Sequence, residues 1–233
     1  MGKECSWGAA MKRIYVVTEG QSETNFVKKI LTPFFLPLNK NLIPTTVLTK
    51  VDEQKGKVHK GGMVNYAKAR NTILKDLTYT KKDDVFVTTM FDLYALPTDT
   101  PGKNAANKIS DPYQKVSCIE KAMFDFEKLT RPVYHPYIQL HEFEALLFSD
   151  LTFLANQYFE YNIQPLINCL AVKKNPELIN DGAATAPSKR ILNCIPIYDK
   201  ATDGVSVLGK IGINKLCQSC KHFSEWIEWM KSV

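Results

Sequence analysis

Residues 14–34 carry the clearest indication of the fold, and their sequence is IYVVTEGQSETNFVKKILTPF. Its first four residues form a short apolar run with β-branching, which is typical of a strand buried on both faces in a parallel sheet. Gly20 supplies a turn, and the apolar residues after it recur at helical spacing. Glu23 falls in the first helical turn, where the helix dipole favours an acid. The stretch therefore predicts a strand, a glycine turn and a helix.

The alternation of strand and helix continues outward from this unit. We predict further strands at 43–51, 85–91 and 133–140, separated by helices at 63–77 and 116–126. This order predicts an α/β fold with an open, mostly parallel sheet flanked by helices. Beyond residue 140 the pattern becomes helical, at 142–159, 164–172 and 223–230.

We expect residues 1–10 to be a disordered extension and residues 11–233 to form one domain. Within it, residues 11–140 are expected to be the sheet core and residues 141–233 a helical C-terminal elaboration. The chain has 233 residues, 45% hydrophobic and 23% charged, which excludes disordered and fibrous classes.

Composition also indicates where in the cell the protein is located and which kinds of partner it binds. No stretch approaches the roughly 20 apolar residues that span a bilayer, and the N-terminus lacks a secretory pattern, so we expect a cytoplasmic protein without a membrane partner. The six cysteines show no framework spacing, as expected of reduced thiols. The net charge of +6 arises in residues 1–110 and fits either a polyanionic partner or a well-solvated surface.

Acidic residues follow three of the predicted strands. They are Glu19, Asp92 and Glu142. The carboxyl ends of parallel strands meet at one edge of a sheet, where strands lie about 4.8 Å apart, so these carboxylates can share a divalent ion. Carboxylates suit Mg²⁺ or Mn²⁺, whereas a single acid of this kind is more often a helix cap.

Four motifs give these acids a context. They are TEGQSE (18–23), FDLYALP (91–97), HEFEALLF (141–148) and APSKR (186–190). In this order the motifs resemble a bacterial Toprim-like family of unknown function. That family often accompanies ATPases related to the overcoming-lysogenisation-defect (OLD) nucleases.

The resemblance implies a Mg²⁺- or Mn²⁺-dependent nuclease acting on DNA or RNA in phage defence beside a partner ATPase. Glu19 corresponds to the first acid of Toprim domains and Asp92 to the first Asp of their Asp-x-Asp. Tyr94 replaces the second Asp, and Glu142 and Glu144 are the candidates to substitute for it. Without a substitute a two-metal mechanism loses a ligand.

Basic residues supply the candidate phosphate contacts. Lys189 is predicted to stabilise the transition state, with Arg190 and the Ser188 hydroxyl binding substrate. Pro187 places the two cations near a helix N-terminus, where an anion would relieve their charge, although a solvated pair on a surface turn is the alternative. Lys55, Lys57 and Lys60 precede two glycines and are predicted to grip phosphate, although a solvated loop explains them nearly as well.

Several alternatives stay open. A non-catalytic nucleic-acid or partner-binding module fits the degenerate Asp-x-Asp, and a phosphatase acting on small phosphorylated substrates is a weaker possibility. No Walker A motif is present, so ATP hydrolysis is expected from a partner.

Cys217 and Cys220, followed by His222, fit unligated thiols better than a zinc site. Arg70 interrupts an apolar helical face, which predicts a structural ion pair.

Overall fold

A parallel β-sheet lies at the centre of the protein in this computed structural model, which describes residues 11–47, 50–52, 57–59, 63, 65–81, 84–129, 131–180, 182 and 184–233. The strands are β1 (Lys12–Thr18), β2 (Lys40–Thr46), β3 (Lys50–Asp52), β4 (Lys57–His59), β5 (Val85–Asp92), β6 (Tyr134–His135) and β7 (Ile138–Gln139). The main sheet has the order β2-β1-β5-β6, and β7 also pairs with β5. All of its pairings are parallel, which confirms the predicted α/β fold.

Helices flank the sheet and make up most of the C-terminal half. They are α1 (Gln21–Phe26), α2 (Thr32–Phe35), α3 (Tyr66–Leu77), α4 (Lys103–Ala106), α5 (Pro112–Phe126), α6 (Thr152–Gln157), α7 (Gln164–Lys173), α8 (Pro187–Cys194), α9 (Val205–Ile211), α10 (Ile213–Ser219) and α11 (Lys221–Ser232). Shorter turns have 3₁₀ geometry at Leu36–Leu38, Thr78–Lys81, Phe143–Ser149 and Pro176–Leu178, and π geometry at Val27–Leu31 and Lys200–Gly204. The predicted helical elaboration is confirmed. Residues 1–10, the predicted extension, lie outside the described residues.

The second strand differs from its predicted bounds of 43–51. It begins at Lys40 and ends at Thr46, because its register with β1 runs from the pair Lys12–Lys40 to the pair Thr18–Thr46. β1 ends at Thr18, whose carbonyl accepts from the Val47 N–H at 2.9 Å, and the register between the two strands ends there. Instead, β3 pairs with β4 in a separate antiparallel sheet of two strands.

The predicted strand 133–140 is divided into β6 and β7 at Pro136. Proline has no N–H group to donate to a sheet. The Thr89 side chain of β5 bridges the gap, since its hydroxyl accepts from the Tyr137 N–H and donates to the Tyr137 carbonyl, both at 2.9 Å. The predicted helix 142–159 is also divided, because Asp150 is extended and its carboxylate accepts from the Thr152 N–H at 3.0 Å.

Each face of β1 packs against a different layer, as expected for a strand buried on both faces. Val16 belongs to a core formed largely with the C-terminal helices, whereas Val17 belongs to a core formed with α3 and α5. Trp226 of α11 is fully buried, stacks on Tyr137 at 4.3 Å and donates from its indole nitrogen to the Thr88 hydroxyl at 2.9 Å. The C-terminal helix is thereby fastened directly to the central strand β5.

The structure describes three further residues that the sequence singled out, Arg70, Cys217 and Cys220. The Arg70 Nε lies 2.9 Å from the Glu127 carboxylate, whose side chain is 1% exposed, which confirms the predicted ion pair. Among the cysteines that the structure describes, Cys217 and Cys220 are free thiols, and the Cys220 thiol is buried against the Ser149 hydroxyl at 3.3 Å.

Within the described residues, no helix has the length and apolar character needed to cross a membrane.

A buried histidine–carboxylate pair predicts how stability depends on pH. His222 Nε2 lies 2.8 Å from Glu120 Oε1, joining α11 to α5. Burial lowers the pKa of His222, but Glu120, Glu177 and Glu225 outweigh it and raise the pKa above 6.5. A raised histidine pKa contributes stability that is complete below about pH 6.5 and is lost as pH rises through the folded-state pKa. We therefore expect His222→Gln to flatten the fall in the free energy of unfolding between pH 6.5 and 8.5, by on the order of 1 kcal/mol.

Denaturant unfolding across this pH range measures the effect, and His135→Gln is the matched control. Burial lowers the pKa of His135 to about 4, so this residue is neutral in the folded protein over the whole range. It binds a proton only in the unfolded state, near pH 6.5, so His135→Gln should retain the fall in the free energy of unfolding above about pH 7. Equal slopes for His222→Gln and the unsubstituted protein would show that the pair does not hold its proton.

Candidate functional site

The carboxyl edge of the central strands brings the three predicted acids together. β1 and β5 are in parallel register with Thr18 beside Met90, so Glu19 and Asp92 emerge at the same edge. β7 lies on the other side of β5 with Gln139 beside Asp92, and Glu142 follows three residues later. The carboxyl ends of parallel strands lie at one edge of a sheet, so the order of the elements in the sequence could indicate this placement.

Five carboxylates interact at this edge, and we call them the acidic cluster: Glu19, Glu23, Asp92, Glu142 and Glu144. Burial raises the pKa of Asp92 well above its ordinary value, and the negative charges of the other four raise it further. Burial also raises the pKa of Glu19, against the opposing effects of the Asp92 and Met63 backbone amides and the Lys200 charge. The negative charges of the cluster therefore destabilise one another, and Glu19, Glu23 and Asp92 retain protons more readily than free carboxyl groups do.

Two oxygens of the cluster are buried without a hydrogen-bond partner among the described residues. They are Oε2 of Glu19, directly after β1, and Oδ1 of Asp92, at the end of β5. An unsatisfied buried carboxylate oxygen is costly, and in a native protein it indicates a missing partner such as water or an ion. Carboxylate oxygens are also the donors that Mg²⁺ prefers, so the residue types fit a divalent cation.

The described side chains of the acidic cluster are not arranged around one point at the spacing of metal ligands. Within the parts of the chain that the structure describes, no group of three or more His, Cys, Asp or Glu side chains is spaced to hold a metal ion. Like charges close together repel unless a cation lies between them. The fit to a metal therefore rests on donor type and on the two unpartnered oxygens.

Glu23 joins the cluster from the first turn of α1. Its Oε2 accepts from the Gly20 N–H at 3.0 Å, so it caps the helix that follows β1. Burial raises the pKa of Glu23 to about 7, and the charge of Glu19 adds to this effect. The sequence indicated only the helix-dipole role, although Glu23 is the last residue of the TEGQSE motif.

Lys200 is a member of the site that the sequence did not indicate. Its Nζ lies 3.3 Å from an oxygen of Glu144, whose side chain is almost fully buried. Burial opposes the charge on Lys200, but Glu144 and Glu142 outweigh it and raise the lysine pKa. Lys200 belongs to no motif and lies in a π-helical turn far along the chain from Glu144, so only the tertiary structure reveals the pair.

Glu142 occupies the position where the sequence predicted an external anion. Its Oε2 accepts from the Ser188 N–H at 3.0 Å, at the beginning of α8. The carboxylate thus satisfies part of the helix N-terminus from within the protein. The Ser188 side chain is buried, Lys189 is exposed, and Arg190 Nε donates to the Thr185 carbonyl at 2.7 Å. Their contacts with substrate stay predictions.

Of the remaining predicted residues, Tyr94 contacts a residue outside the acidic cluster, and the three lysines lie wholly or partly outside the described residues. Tyr94, at the position of the second Asp of Asp-x-Asp, is 39% exposed and donates from its hydroxyl to Asn180 at 2.9 Å. Lys57 lies in β4, but its side chain is not described, and Lys55 and Lys60 lie outside the described residues. The proposed phosphate grip of these lysines stays a prediction.

Comparison with known proteins identifies a family without assigning an activity. The model of a family described as a domain of unknown function, DUF4276, matches residues 18–231. The matched region begins at Thr18 and includes all four motifs and the whole acidic cluster. No curated protein and no solved structure matches the chain significantly.

Proposed function

We propose that this chain, which belongs to the DUF4276 family, is a cytoplasmic Mg²⁺- or Mn²⁺-dependent nuclease that hydrolyses phosphodiester bonds in DNA or RNA. The observation that carries the proposal is the pair of buried, unpartnered oxygens, Glu19 Oε2 and Asp92 Oδ1. A divalent cation would provide both with a partner and offset the repulsion within the acidic cluster. The resemblance of the four motifs to Toprim domains supports the same reaction.

The residues proposed to hold the cation are Glu19 and Asp92, with Glu142 or Glu144 in place of the missing second Asp. Bound there, a divalent ion supplies an activated water and screens phosphate charge. Lys200 orients Glu144 through their ion pair, and the Ser188 amide orients Glu142. These contacts hold both candidate substitutes at the edge of the sheet.

The basic part of the proposed site is α8. Lys189 is exposed one residue after Ser188, whose amide contacts Glu142. An exposed lysine beside the carboxylates can approach a phosphate bound at the cluster and stabilise the charge that develops on it. Arg190 and Ser188 would add to the same surface of the substrate.

The biological setting is proposed from the motif resemblance. Toprim-like proteins of this type often accompany an ATPase, and this chain has no Walker A motif to bind nucleotide phosphates itself. We therefore propose that the nuclease acts in phage defence with a partner ATPase that supplies ATP hydrolysis.

A non-catalytic role is the second candidate, and one observation favours it. Tyr94 stands where Toprim domains place a metal-binding Asp, and its hydroxyl bonds to Asn180. In this alternative, the acidic cluster no longer supports hydrolysis and the protein binds nucleic acid or a partner.

A cleavage assay with the purified full-length chain distinguishes the two candidates. Single- and double-stranded DNA and RNA are incubated with Mg²⁺, Mn²⁺ or EDTA, with and without ATP and a candidate partner ATPase. We expect cleavage of at least one polymer in the presence of metal and none in EDTA. Binding without cleavage under every condition would favour the second candidate, and hydrolysis of mononucleotides alone would contradict both.

A further inference from the structure

A cavity of about 580 Å³ is lined by residues that follow the ends of β5 and β7, including Leu93, Tyr94 and His141. Its lining includes three lysines, a tyrosine, a histidine and an asparagine: Lys103, Lys115, Lys173, Tyr94, His141 and Asn180. The volume lies within the range of small-ligand pockets and exceeds what a lone phosphate requires.

The cavity and the acidic cluster share a wall. Tyr94 follows Asp92 by two residues, and His141 immediately precedes Glu142. The Tyr94 N–H donates to the His141 carbonyl at 3.1 Å, and Asn180 bonds to both the Tyr94 hydroxyl and the His141 ring. His141 has a left-handed backbone with φ of 65°, an uncommon conformation for a non-glycine residue that is often found at functional sites.

Two lysines make this cavity electropositive. Lys103 on α4 donates to the Leu93 carbonyl at 3.1 Å, next to the end of β5. Burial lowers the pKa of Lys103, and the positive charge of Lys115 on α5 lowers it further, so the two ammonium groups are within electrostatic reach. No aspartate or glutamate is among the described residues that line the cavity. An anion between the lysines would relieve their repulsion.

We propose that this cavity binds a phosphate of the nucleic-acid strand that is cut at the acidic cluster. The assignment rests on the proposed nuclease function, which it extends by naming where the strand continues. Lys103 and Lys115 contact the phosphate oxygens, and the exposed ring of Tyr94 stacks on a base. The aromatic ring and the shared wall favour a strand over a free phosphate ion.

Binding measured in EDTA tests this site independently of cleavage. Fluorescein-labelled oligothymidylate and oligouridylate are titrated with Lys115→Gln while fluorescence anisotropy is recorded at several salt concentrations. We expect affinity to fall by about tenfold or more, and the slope of log K against log salt to decrease by roughly 0.7 for each lost phosphate contact. Lys115→Arg should restore most of the affinity because it restores the charge.

Lys121→Gln is the matched control. Lys121 lies on the same helix as Lys115, pairs with Asp125 at 2.9 Å and does not line this cavity. It should bind the oligonucleotides as the unsubstituted chain does. Lys115 is preferable to Lys103 as the test position because Lys103 also supports the backbone of Leu93.

The outcomes separate this proposal from the nuclease proposal. If Lys115→Gln binds as tightly as the unsubstituted chain, or if no oligonucleotide binds, the strand site is wrong. If only mononucleotides or inorganic phosphate bind, the assignment to a strand is also overturned. Strand binding that depends on Lys115 in a protein that never cleaves would support this site while rejecting the nuclease activity.

Discussion

Asp92→Asn is expected to abolish metal-dependent cleavage and, at the same time, to stabilise the protein in metal-free buffer. Loss of even an outer partner of a metal ligand costs about 10- to 100-fold in activity, so loss of the carboxylate itself should cost about 100-fold or more. Glu19→Gln should behave in the same way, because its Oε2 is the other unpartnered oxygen.

The gain in stability comes from removing a buried negative charge. Burial and four neighbouring carboxylates raise the pKa of Asp92 above its ordinary value of 3.8. A carboxyl group with a raised pKa contributes stability at low pH that is lost as pH rises through the folded-state pKa. The free energy of unfolding of Asp92→Asn should therefore exceed that of the unsubstituted chain by roughly 1–3 kcal/mol at pH 8, with little difference below about pH 4.

Asp84→Asn is the matched control for both effects. Asp84 directly precedes β5, whereas Asp92 ends it, so the two acids lie at opposite edges of the sheet. Asp84 pairs with Arg13 at 3.2 Å in a partly exposed ion pair, whose loss should cost no more than about 1 kcal/mol and leave cleavage intact. Retained cleavage in Asp92→Asn, or a loss of stability like that of a core substitution, would contradict the metal-ligand role.

The second large effect is stabilisation by a divalent cation. Mn²⁺ or Mg²⁺ at about 100 times its dissociation constant should raise the free energy of unfolding by about 2.7 kcal/mol. For a domain of this size, that corresponds to an increase in Tm of roughly 5–10 °C. The increase should be larger at pH 8 than at pH 5, because metal binding requires the carboxylates to lose their protons.

Thermal unfolding of the purified chain measures this shift, with KCl at matched ionic strength as the control for simple screening. The shift should vanish in Asp92→Asn and persist in Asp84→Asn and Lys115→Gln. An equal increase in Tm with KCl would show that the acidic cluster responds only to ionic strength. In that case the metal site would be rejected.

Local patterns predicted the central elements because their signals are periodic. The run 14–17 predicted a doubly buried strand, and Val16 and Val17 do pack into different cores. Sequence patterns predicted the wrong strand bounds where pairing between strands determines those bounds. β2 ends where β1 ends, and Pro136 divides the fourth predicted strand because it cannot donate a hydrogen bond.

Some residues of the candidate site could likewise be predicted from the sequence, and others could not. Glu19, Asp92 and Glu142 follow strands, so their convergence at one edge could be expected from the order of the elements. Lys200 and the cavity lysines Lys103 and Lys115 follow no strand and belong to no motif. Their association with the acids depends on how the turns and helices pack, which leaves no periodic trace in the sequence.

The parallel α/β fold and the edge at which the acids converge could be predicted from sequence, since both follow from hydrophobic runs and from strand direction. Which charges are satisfied depends on tertiary packing. Glu144 is paired with a lysine and Glu142 with a helix N-terminus, whereas one oxygen each of Glu19 and Asp92 is buried without a partner among the described residues. The reason is physical: desolvation and Coulomb interactions depend on distances between groups far apart in the chain, and packing sets those distances.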